Sequence, residues 1–305
     1  MKPEILSTAY LRALFYGDSG VGKTHLLSTA MQYAETSPML VMNARGQPIT
    51  FRRLGDNIPL VMSVNHMKDF NEIYSWVMDD QPLPKQLHDY EYIFGAGPGA
   101  SNEDAVWQAK DLISNLPETW NYVFAYLLSH KTTRFKSIAF DSITQIQRIA
   151  NNVVLDVPVE YVPDTIPSKR GYTEYQKLLD LLMRFADYHY KLPVHVFMTA
   201  LCRHSEMVSS NITMYYPFLW GQAALEVPSY AELVGRLIKV DSLATQQARL
   251  IAKDSTLKQS EPPFNILLTQ GGRDYIAKWQ GPENPPDVVV DPTIEKLLNV
   301  LWSTP

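Results

Sequence analysis

The chain has 305 residues, enough for one large domain or for a core with a small appendage, and its net charge is -5. A single cysteine, Cys202, excludes an intramolecular disulfide and a cysteine-built metal site, which fits a reducing compartment and makes the cytoplasm the default expectation. No apolar run approaches the roughly 20 residues of a membrane helix, so we expect no membrane span. Because the chain is acidic, we expect it to contact nucleic acid only through a local basic patch.

The N-terminal region predicts a strand, a tight turn and a helix. The apolar run 11–16 predicts a buried strand, and a Gly-rich turn follows it directly. After the turn, apolar residues recur at the spacing that sets one helical stripe against a sheet, at Leu26, Leu27, Ala30, Met31 and Ala34. The next apolar run, 39–42, predicts a second buried strand.

The turn at residues 17–24, called the P-loop below, matches the pattern G-x-x-x-x-G-K-[ST] in full. Glycines in this pattern let successive backbone N–H groups point at phosphate oxygens, and the helix N-terminus adds partial positive charge. Lys23 is predicted to reach the β- and γ-phosphates, and the Thr24 hydroxyl to ligate Mg²⁺. We therefore predict a site for ATP and Mg²⁺, with the nucleotide-binding residues Gly17, Asp18, Ser19, Gly20, Val21, Gly22, Lys23, Thr24 and His25. The alternatives are a chance Gly-rich turn and a loop that binds nucleotide without turning it over.

The segment 81–134 contains no strand of the expected core, so we interpret it as an insertion or lid. Before it, the stretch 46–65 is irregular, and a helix is predicted from the spacing of Phe70, Ile73, Tyr74 and Val77. Within the segment, Ser101 followed by Asp104 resembles a capping box at the start of a further helix.

The core resumes at Ser137, in an apolar strand that ends in Asp141. An acid at this place is predicted to hold Mg²⁺ through water, so we assign catalytic roles to Asp141 and Lys23. The alternative is a structural role, because Asp141 or Ser142 could cap the following helix, which carries apolar residues over 143–153.

A second pair of elements follows this strand and helix. A long helix is predicted over 172–185 and a strand over 194–199. Thr199 would then reach the carboxyl edge of a parallel sheet, where it could sense the γ-phosphate; an ordinary strand-end threonine is the alternative. Strands that alternate with helices predict a parallel sheet covered on both faces.

The C-terminal third predicts short strands at 249–252, Phe264–Leu268 and 275–279, which extend the sheet antiparallel. A Pro-rich linker, 281–291, leads to a last helix at about 292–302, with Asp291 as its cap and Pro292 in its first turn. The predicted fold class is therefore α/β: a mostly parallel central sheet with helices on both faces and antiparallel C-terminal strands. We expect one domain over residues 1–305.

Four places carry a resemblance to a known family. They are the P-loop, the strand end Ile138-Ala139-Phe140-Asp141-Ser142, the block 194–200 followed by Gly221 and by 233–237, and the tail 275–278. In these places the chain resembles the RecA-like ATPases, and more closely the phage-encoded nucleotide-binding proteins related to single-strand-annealing recombinases. The resemblance covers most of the chain except 81–134. It implies a RecA-like P-loop NTPase fold, ATP binding, DNA-linked ATP hydrolysis, and assembly into rings or filaments in which a neighbour completes the site.

One departure from the family concerns the activation of water. RecA-like enzymes usually carry a glutamate just after the second strand, whereas this chain has Asn43, Ala44 and Arg45 there. The spacing therefore selects no general base, and nucleotide binding without turnover stays an alternative.

The resemblance also implies DNA-binding loops at 156–171 and 203–221. The first holds Lys169 and Arg170, and the second holds Arg203, His204, Tyr215, Tyr216 and Trp220. Basic groups neutralise phosphates and aromatic rings stack on bases, so we predict a contact with single-stranded DNA; the alternative is a solvated loop whose rings fold back on the core.

Arg236 and Lys239 lie where a side chain could reach a neighbour's phosphates, or could form surface ion pairs instead.

The leading hypothesis is an ATP-binding, Mg²⁺-dependent ATP-hydrolysing protein of phage DNA recombination or replication. We expect it to form a homo-oligomer and to work in the cytoplasm, of the host if it is phage-encoded. The alternatives are a nucleotide-binding assembly protein without turnover and a P-loop small-molecule kinase. A kinase lid usually contains several arginines, whereas the segment 81–134 offers only Arg134.

Overall fold

The computed structural model describes residues 10–44, 50–51, 57–63, 126–127, 129–130, 134–155, 172–207, 212–241, 264–272, 274–280 and 286–302. Several predicted features therefore lie outside the described residues. They are most of the proposed insertion 81–134, the helical pattern around Phe70, the whole loop 156–171, and the strand 249–252.

The described residues form ten strands and five α-helices. The strands are β1 Arg12–Gly17, β2 Met39–Asn43, β3 Leu60–Ser63, β4 Ser137–Asp141, β5 His195–Met207, β6 Ile212–Pro217, β7 Leu233–Val240, β8 Phe264–Leu268, β9 Lys278–Trp279 and β10 Val288–Val290. The helices are α1 Lys23–Ser28, which a 3₁₀ helix Thr29–Gln32 continues, α2 Ile143–Leu155, α3 Tyr172–Tyr190, α4 Ala223–Tyr230 and α5 Ile294–Trp302.

One sheet runs through the molecule in the order β10-β8-β7-β1-β5-β4-β2-β3. The six strands from β7 to β3 are parallel to their neighbours. Beyond β7 the sheet continues antiparallel through β8 and β10, while β9 pairs with β7 and β6 pairs with β5, both antiparallel. The predicted architecture, a mostly parallel sheet with antiparallel C-terminal strands, is confirmed.

Helices pack on both faces of this sheet, as the alternation of strand and helix predicts. Successive residues of β1 point to opposite faces, because side chains alternate along a strand. Leu14 and Tyr16 belong to the apolar cluster that includes α2, α3 and α4. Ala13 and Phe15 belong to the cluster that includes α1 and α5 on the other face. All four side chains are fully buried, so β1 lies at the centre of the core.

Three stretches differ from the sequence-based expectation. The stretch 46–65, predicted to be irregular, contains β3, and the predicted linker 281–291 contains β10. The loop expected over 203–221 is largely a hairpin, because β5 continues to Met207 and pairs with β6. Residues 203–206 are exposed and polar, so this part of β5 lacks the apolar run that marks a buried strand.

The start of α5 also differs from the prediction. Its N-cap is Thr293, whose Oγ1 accepts a hydrogen bond from the Lys296 N–H at 3.1 Å. The predicted cap, Asp291, lies two residues earlier with a backbone φ of 42°. Its Oδ1 accepts the N–H of Asn265 at 3.0 Å instead, so Asp291 joins β8 to the chain before α5. Pro292 accordingly precedes the helix.

Among the described residues, no helix combines the length and the apolar character that crossing a bilayer requires.

Two buried histidines make the fold sensitive to mild acid. Burial lowers the pKa of His189 and of His195 to about 4, and in His195 the nearby Arg12 adds to the effect. His195 Nδ1 accepts the N–H of Leu11 at 2.9 Å, so protonation at this nitrogen would remove an acceptor that the fold uses. The His189 ring packs against the Phe140 and Phe185 rings, with centroid distances of 4.6 Å and 4.3 Å. The native protein therefore favours both rings in the neutral form.

We expect the free energy of unfolding to fall as the pH falls from 7 to 5. In the unfolded chain the histidines bind protons below their ordinary pKa of about 6.5, whereas the folded chain binds them only near pH 4. The loss should be about 2 kcal/mol per histidine over this interval, measurable by urea unfolding at each pH. His189→Gln should reduce the difference between the two pH values by about half. Equal pH dependence in wild type and variant would contradict the assignment.

Candidate functional site

The P-loop joins β1, at the centre of the sheet, to α1. Gly20 and Gly22 have φ values of 82° and 94°, in the left-handed region that residues with a Cβ rarely adopt. The two glycines let the backbone curl at the first turn of α1. The P-loop thus has the strand, turn and helix context that its sequence pattern requires.

Lys23 lies folded over the P-loop. Its Nζ donates hydrogen bonds to the carbonyl oxygens of Gly17 at 2.8 Å and of Asp18 at 2.7 Å. The residue is only 8% exposed, so its positive charge sits inside the loop. A buried ammonium group beside inward-curled backbone is suited to a polyphosphate ligand, because both supply positive electrostatic potential.

Thr24, Asp141 and Thr199 meet across the carboxyl edge of the sheet. Thr24 Oγ1 donates to Asp141 Oδ2 at 2.6 Å, and Thr199 Oγ1 donates to Asp141 Oδ1 at 2.7 Å. The sheet order explains the meeting, since β5 with Thr199 lies between β1, which leads into the P-loop, and β4, which ends in Asp141. Both carboxylate oxygens are therefore held by threonine hydroxyls from neighbouring elements.

The Asp141 side chain does not cap the helix α2 that follows it. Its two oxygens engage the threonines across the sheet, and Ser142 Oγ has no hydrogen-bond partner among the described residues. Asp141 is 9% exposed and Thr199 is fully buried. Because its hydroxyl donates to the carboxylate, Thr199 is a positioning residue for Asp141. An ordinary threonine at the end of a strand would not make this contact.

The oxygen atoms of Thr24 and Asp141 fit a magnesium ion that is shared with phosphates. Mg²⁺ prefers oxygen ligands, and it is usually held by one or two protein oxygens together with substrate phosphates and waters. In the part of the chain that the structure describes, no cluster of three or more His, Cys, Asp or Glu side chains could form a metal site from protein alone. The pair therefore suits Mg²⁺ only together with a phosphate ligand.

Strand β2, which lies next to β4, ends in the amide side chain of Asn43. Asn43 pairs in register with Asp141 and is 2% exposed, and the Ala44 N–H donates to the Asp141 carbonyl at 3.0 Å. An amide cannot accept a proton from water as a carboxylate can. The structure thus places the Asn43 amide directly beside the candidate metal site. Arg45 lies outside the described residues.

Some of the residues predicted to contact DNA are exposed, whereas others are buried or packed against neighbouring side chains. Trp220 is 8% exposed and its backbone N–H donates to Gln147 Oε1, so it cannot stack on a base as predicted. The Tyr215 ring lies 3.6 Å from the Arg236 guanidinium. Arg203 and His204 are exposed on β5, whereas Lys169 and Arg170 lie outside the described residues.

Arg236 and Lys239 already have partners within the chain. Arg236 is 9% exposed and packs on the Tyr215 ring, and Lys239 Nζ forms an exposed ion pair with Asp241 at 2.9 Å. For Lys239 the structure shows the surface-pairing alternative. Neither side chain extends freely from the surface toward a neighbouring subunit.

A cavity of about 190 Å³ lies beside the P-loop, on the side of β7 and β8. Its walls include Gly22, His25, Leu237, Asn265, Asp291 and Thr293. Of these, only Gly22 and His25 are among the predicted nucleotide-binding residues. Asn265 was not predicted, although one polar residue inside the apolar strand Phe264–Leu268 is the kind of signal that could have drawn attention to it.

A family model described as an AAA domain matches residues 9–260, which is most of the chain. The match includes the P-loop, Asp141 and Thr199, and it ends before β8, so Asn265 and Asp291 lie beyond it. Comparison with curated proteins gave no match.

Proposed function

The chain belongs to the AAA domain family of P-loop NTPases, and from this premise we propose that it binds Mg²⁺-ATP on the P-loop and hydrolyses it. The observation that carries the proposal is the bond between Thr24 Oγ1 and Asp141 Oδ2 at 2.6 Å. It brings the hydroxyl that follows the P-loop lysine to the acid that ends β4, and these are the two oxygen groups that hold Mg²⁺ in P-loop NTPases.

Each residue of the site has a distinct task in this proposal. The backbone N–H groups of the P-loop and the Lys23 ammonium bind the β- and γ-phosphates and neutralise their charge. Thr24 and Asp141 hold Mg²⁺, which when bound stabilises the negative charge that builds up on the phosphate oxygens. Thr199 keeps the Asp141 carboxylate in place through its 2.7 Å hydrogen bond. We assign no residue as general base.

A second candidate function is nucleotide-dependent assembly without turnover. Asn43 favours it, because this amide stands at the end of β2, in register with Asp141, where a water-activating acid would be useful. In that case the P-loop and Asp141 would hold the nucleotide as a structural ligand.

We extend the proposal to DNA recombination or replication, with single-stranded DNA as a partner and a phage origin, on the strength of the resemblance to phage recombination proteins. The exposed Arg203 and His204 on the β5–β6 hairpin support a contact with DNA phosphates. We further propose one domain with an insertion at 81–134, assembly into a homo-oligomer, and a cytoplasmic location.

The test is ATP turnover by the purified protein with and without Mg²⁺ and single-stranded DNA, together with a size measurement in the presence of a non-hydrolysable ATP analogue. We expect Mg²⁺-dependent turnover that single-stranded DNA increases, and larger particles with the analogue. Tight binding without turnover would favour the assembly protein, and a phosphorylated acceptor among the products would favour a kinase. Absence of nucleotide binding would refute the whole proposal.

A further inference from the structure

The cavity beside the P-loop lies on the opposite flank from the Thr24–Asp141 pair. Strand β1 separates the two places, because β5 and β4 follow it on one side and β7 and β8 on the other. Gly22, which precedes the P-loop lysine, takes part in the wall of the cavity, and so does His25, which follows Thr24. The cavity is therefore continuous with the P-loop.

A nucleotide bound as proposed above would place its nucleoside near this cavity, an expectation that rests on the proposed function. The metal pair fixes the end of the polyphosphate that lies toward β4, and the chain of phosphates follows the P-loop. The far end of the nucleotide then extends toward β7 and β8. At about 190 Å³ the cavity is smaller than the 300 Å³ or more typical of sites for a whole drug-sized ligand, so it suits a single ring system.

The walls have the composition of a site for a flat, partly polar ring. Leu26, Leu237 and Pro292 supply apolar surface, and Asn265 supplies a side-chain amide. The Asn265 Oδ1 is buried and has no hydrogen-bond partner among the described residues. Buried polar atoms in native proteins are normally satisfied, so an unsatisfied acceptor in a cavity wall points to a donor that a ligand brings.

The backbone around Asn265 holds this amide in a fixed place. Its N–H donates to Asp291 Oδ1 at 3.0 Å, and its carbonyl accepts the Asp291 N–H at 2.7 Å. On its other side, β8 pairs with β7 in a register that sets Asn265 opposite Lys239. The Asn265 Nδ2 lies 3.4 Å from the place that a Cβ on Gly22 would occupy, so the amide lies directly against the P-loop.

We propose that this cavity receives the nucleobase and that the Asn265 amide selects adenine over guanine. Adenine presents an amino donor next to a ring-nitrogen acceptor, which matches the Oδ1 acceptor and the Nδ2 donor of one amide. Guanine presents two adjacent acceptors, O6 and N7, on the corresponding edge, so one of them faces the amide oxygen. Asn265 is thus a specificity-determining residue for the nucleotide.

The experiment compares the Kd values of Mg²⁺-ATP and Mg²⁺-GTP, measured by calorimetry, for wild type and for Asn265→Ala. We expect wild type to prefer ATP by about 10- to 100-fold, as one two-bond amide contact to a base allows, and the variant to lose most of this preference through weaker ATP binding. Asn299→Ala, at an exposed position on α5, is the matched control and should keep the wild-type ratio.

The outcomes separate this inference from the proposed function. If wild type binds neither nucleotide, the proposed function fails. If wild type binds both and Asn265→Ala leaves the ATP/GTP ratio unchanged, the base assignment is overturned while the function stands. Circular dichroism checks that Asn265→Ala is folded. If Asn265→Ala does not fold, Asn265→Asp is used in its place, since aspartate keeps the size and the acceptor of asparagine but lacks the donor. A wild-type ATP/GTP ratio in Asn265→Asp would equally overturn the assignment.

Discussion

Lys23→Ala should lower ATP turnover by about 100- to 1,000-fold and should weaken ATP binding by about 10- to 100-fold. The Lys23 ammonium is the positive side-chain charge inside the P-loop, 8% exposed and held by the carbonyls of Gly17 and Asp18. Alanine removes this charge and leaves the two carbonyls without the donor they share. The phosphates then lose a charge-assisted hydrogen bond, which is worth more than a neutral one.

Steady-state turnover and calorimetric binding measure the two losses separately. Lys191→Ala is the matched control, because Lys191 forms an exposed ion pair with Asp187 far from the P-loop, and such pairs contribute little. The control should keep wild-type turnover and affinity. Wild-type ATP affinity in Lys23→Ala would show that the P-loop does not hold the phosphates.

Asp141→Asn should lower turnover by about 100-fold or more and should raise the Mg²⁺ concentration needed for half-maximal activity. Asparagine has nearly the size of aspartate, so the chain should fold, but it lacks the negative charge that attracts Mg²⁺. One of the two threonine hydroxyls that donate to the Asp141 carboxylate would also face an NH₂ group in place of an oxygen. The measurement is turnover across a Mg²⁺ titration.

Two further variants serve as an intermediate case and as a control for Asp141→Asn. Thr199→Val removes the hydroxyl that orients Asp141 and that also lies 3.4 Å from the Phe140 carbonyl oxygen, so we expect a smaller loss of turnover, about 5- to 10-fold, with a weaker response to Mg²⁺. Asp187→Asn changes an exposed carboxylate and should behave as wild type. A normal Mg²⁺ titration curve for Asp141→Asn would remove Asp141 from the metal site.

The parallel core could be predicted because its strands are buried on both faces. Strands such as Met39–Asn43 and Ser137–Asp141 read as continuous apolar runs, and they are buried throughout. The β5–β6 hairpin was missed because residues 203–206 of β5 are exposed and polar, so this part of the strand pairs with β6 without an apolar pattern of its own. Strand β10 was missed because three valines next to a Pro-rich stretch carry little periodic signal.

Some residues of the site could be predicted from local sequence, whereas others depend on contacts between distant parts of the chain. The P-loop is a continuous motif whose chemistry can be inferred from eight adjacent residues. Asp141 was found because it ends an apolar strand. The hydrogen bond from Thr199 and the position of Asn265 beside Gly22 depend on the order of strands in the sheet, and local spacing does not determine that order.

The position of β1 within the sheet has a consequence for how a ligand binds. β1 pairs with β5 along its whole length and with β7 on its other side, and β4 is likewise enclosed by β5 and β2. Interior strands of this kind open only when most of the domain unfolds. The anchors of the P-loop and of Asp141 are therefore preorganised before any nucleotide arrives. Binding then has little backbone entropy to lose at these anchors, so the rigidity of the scaffold itself strengthens affinity.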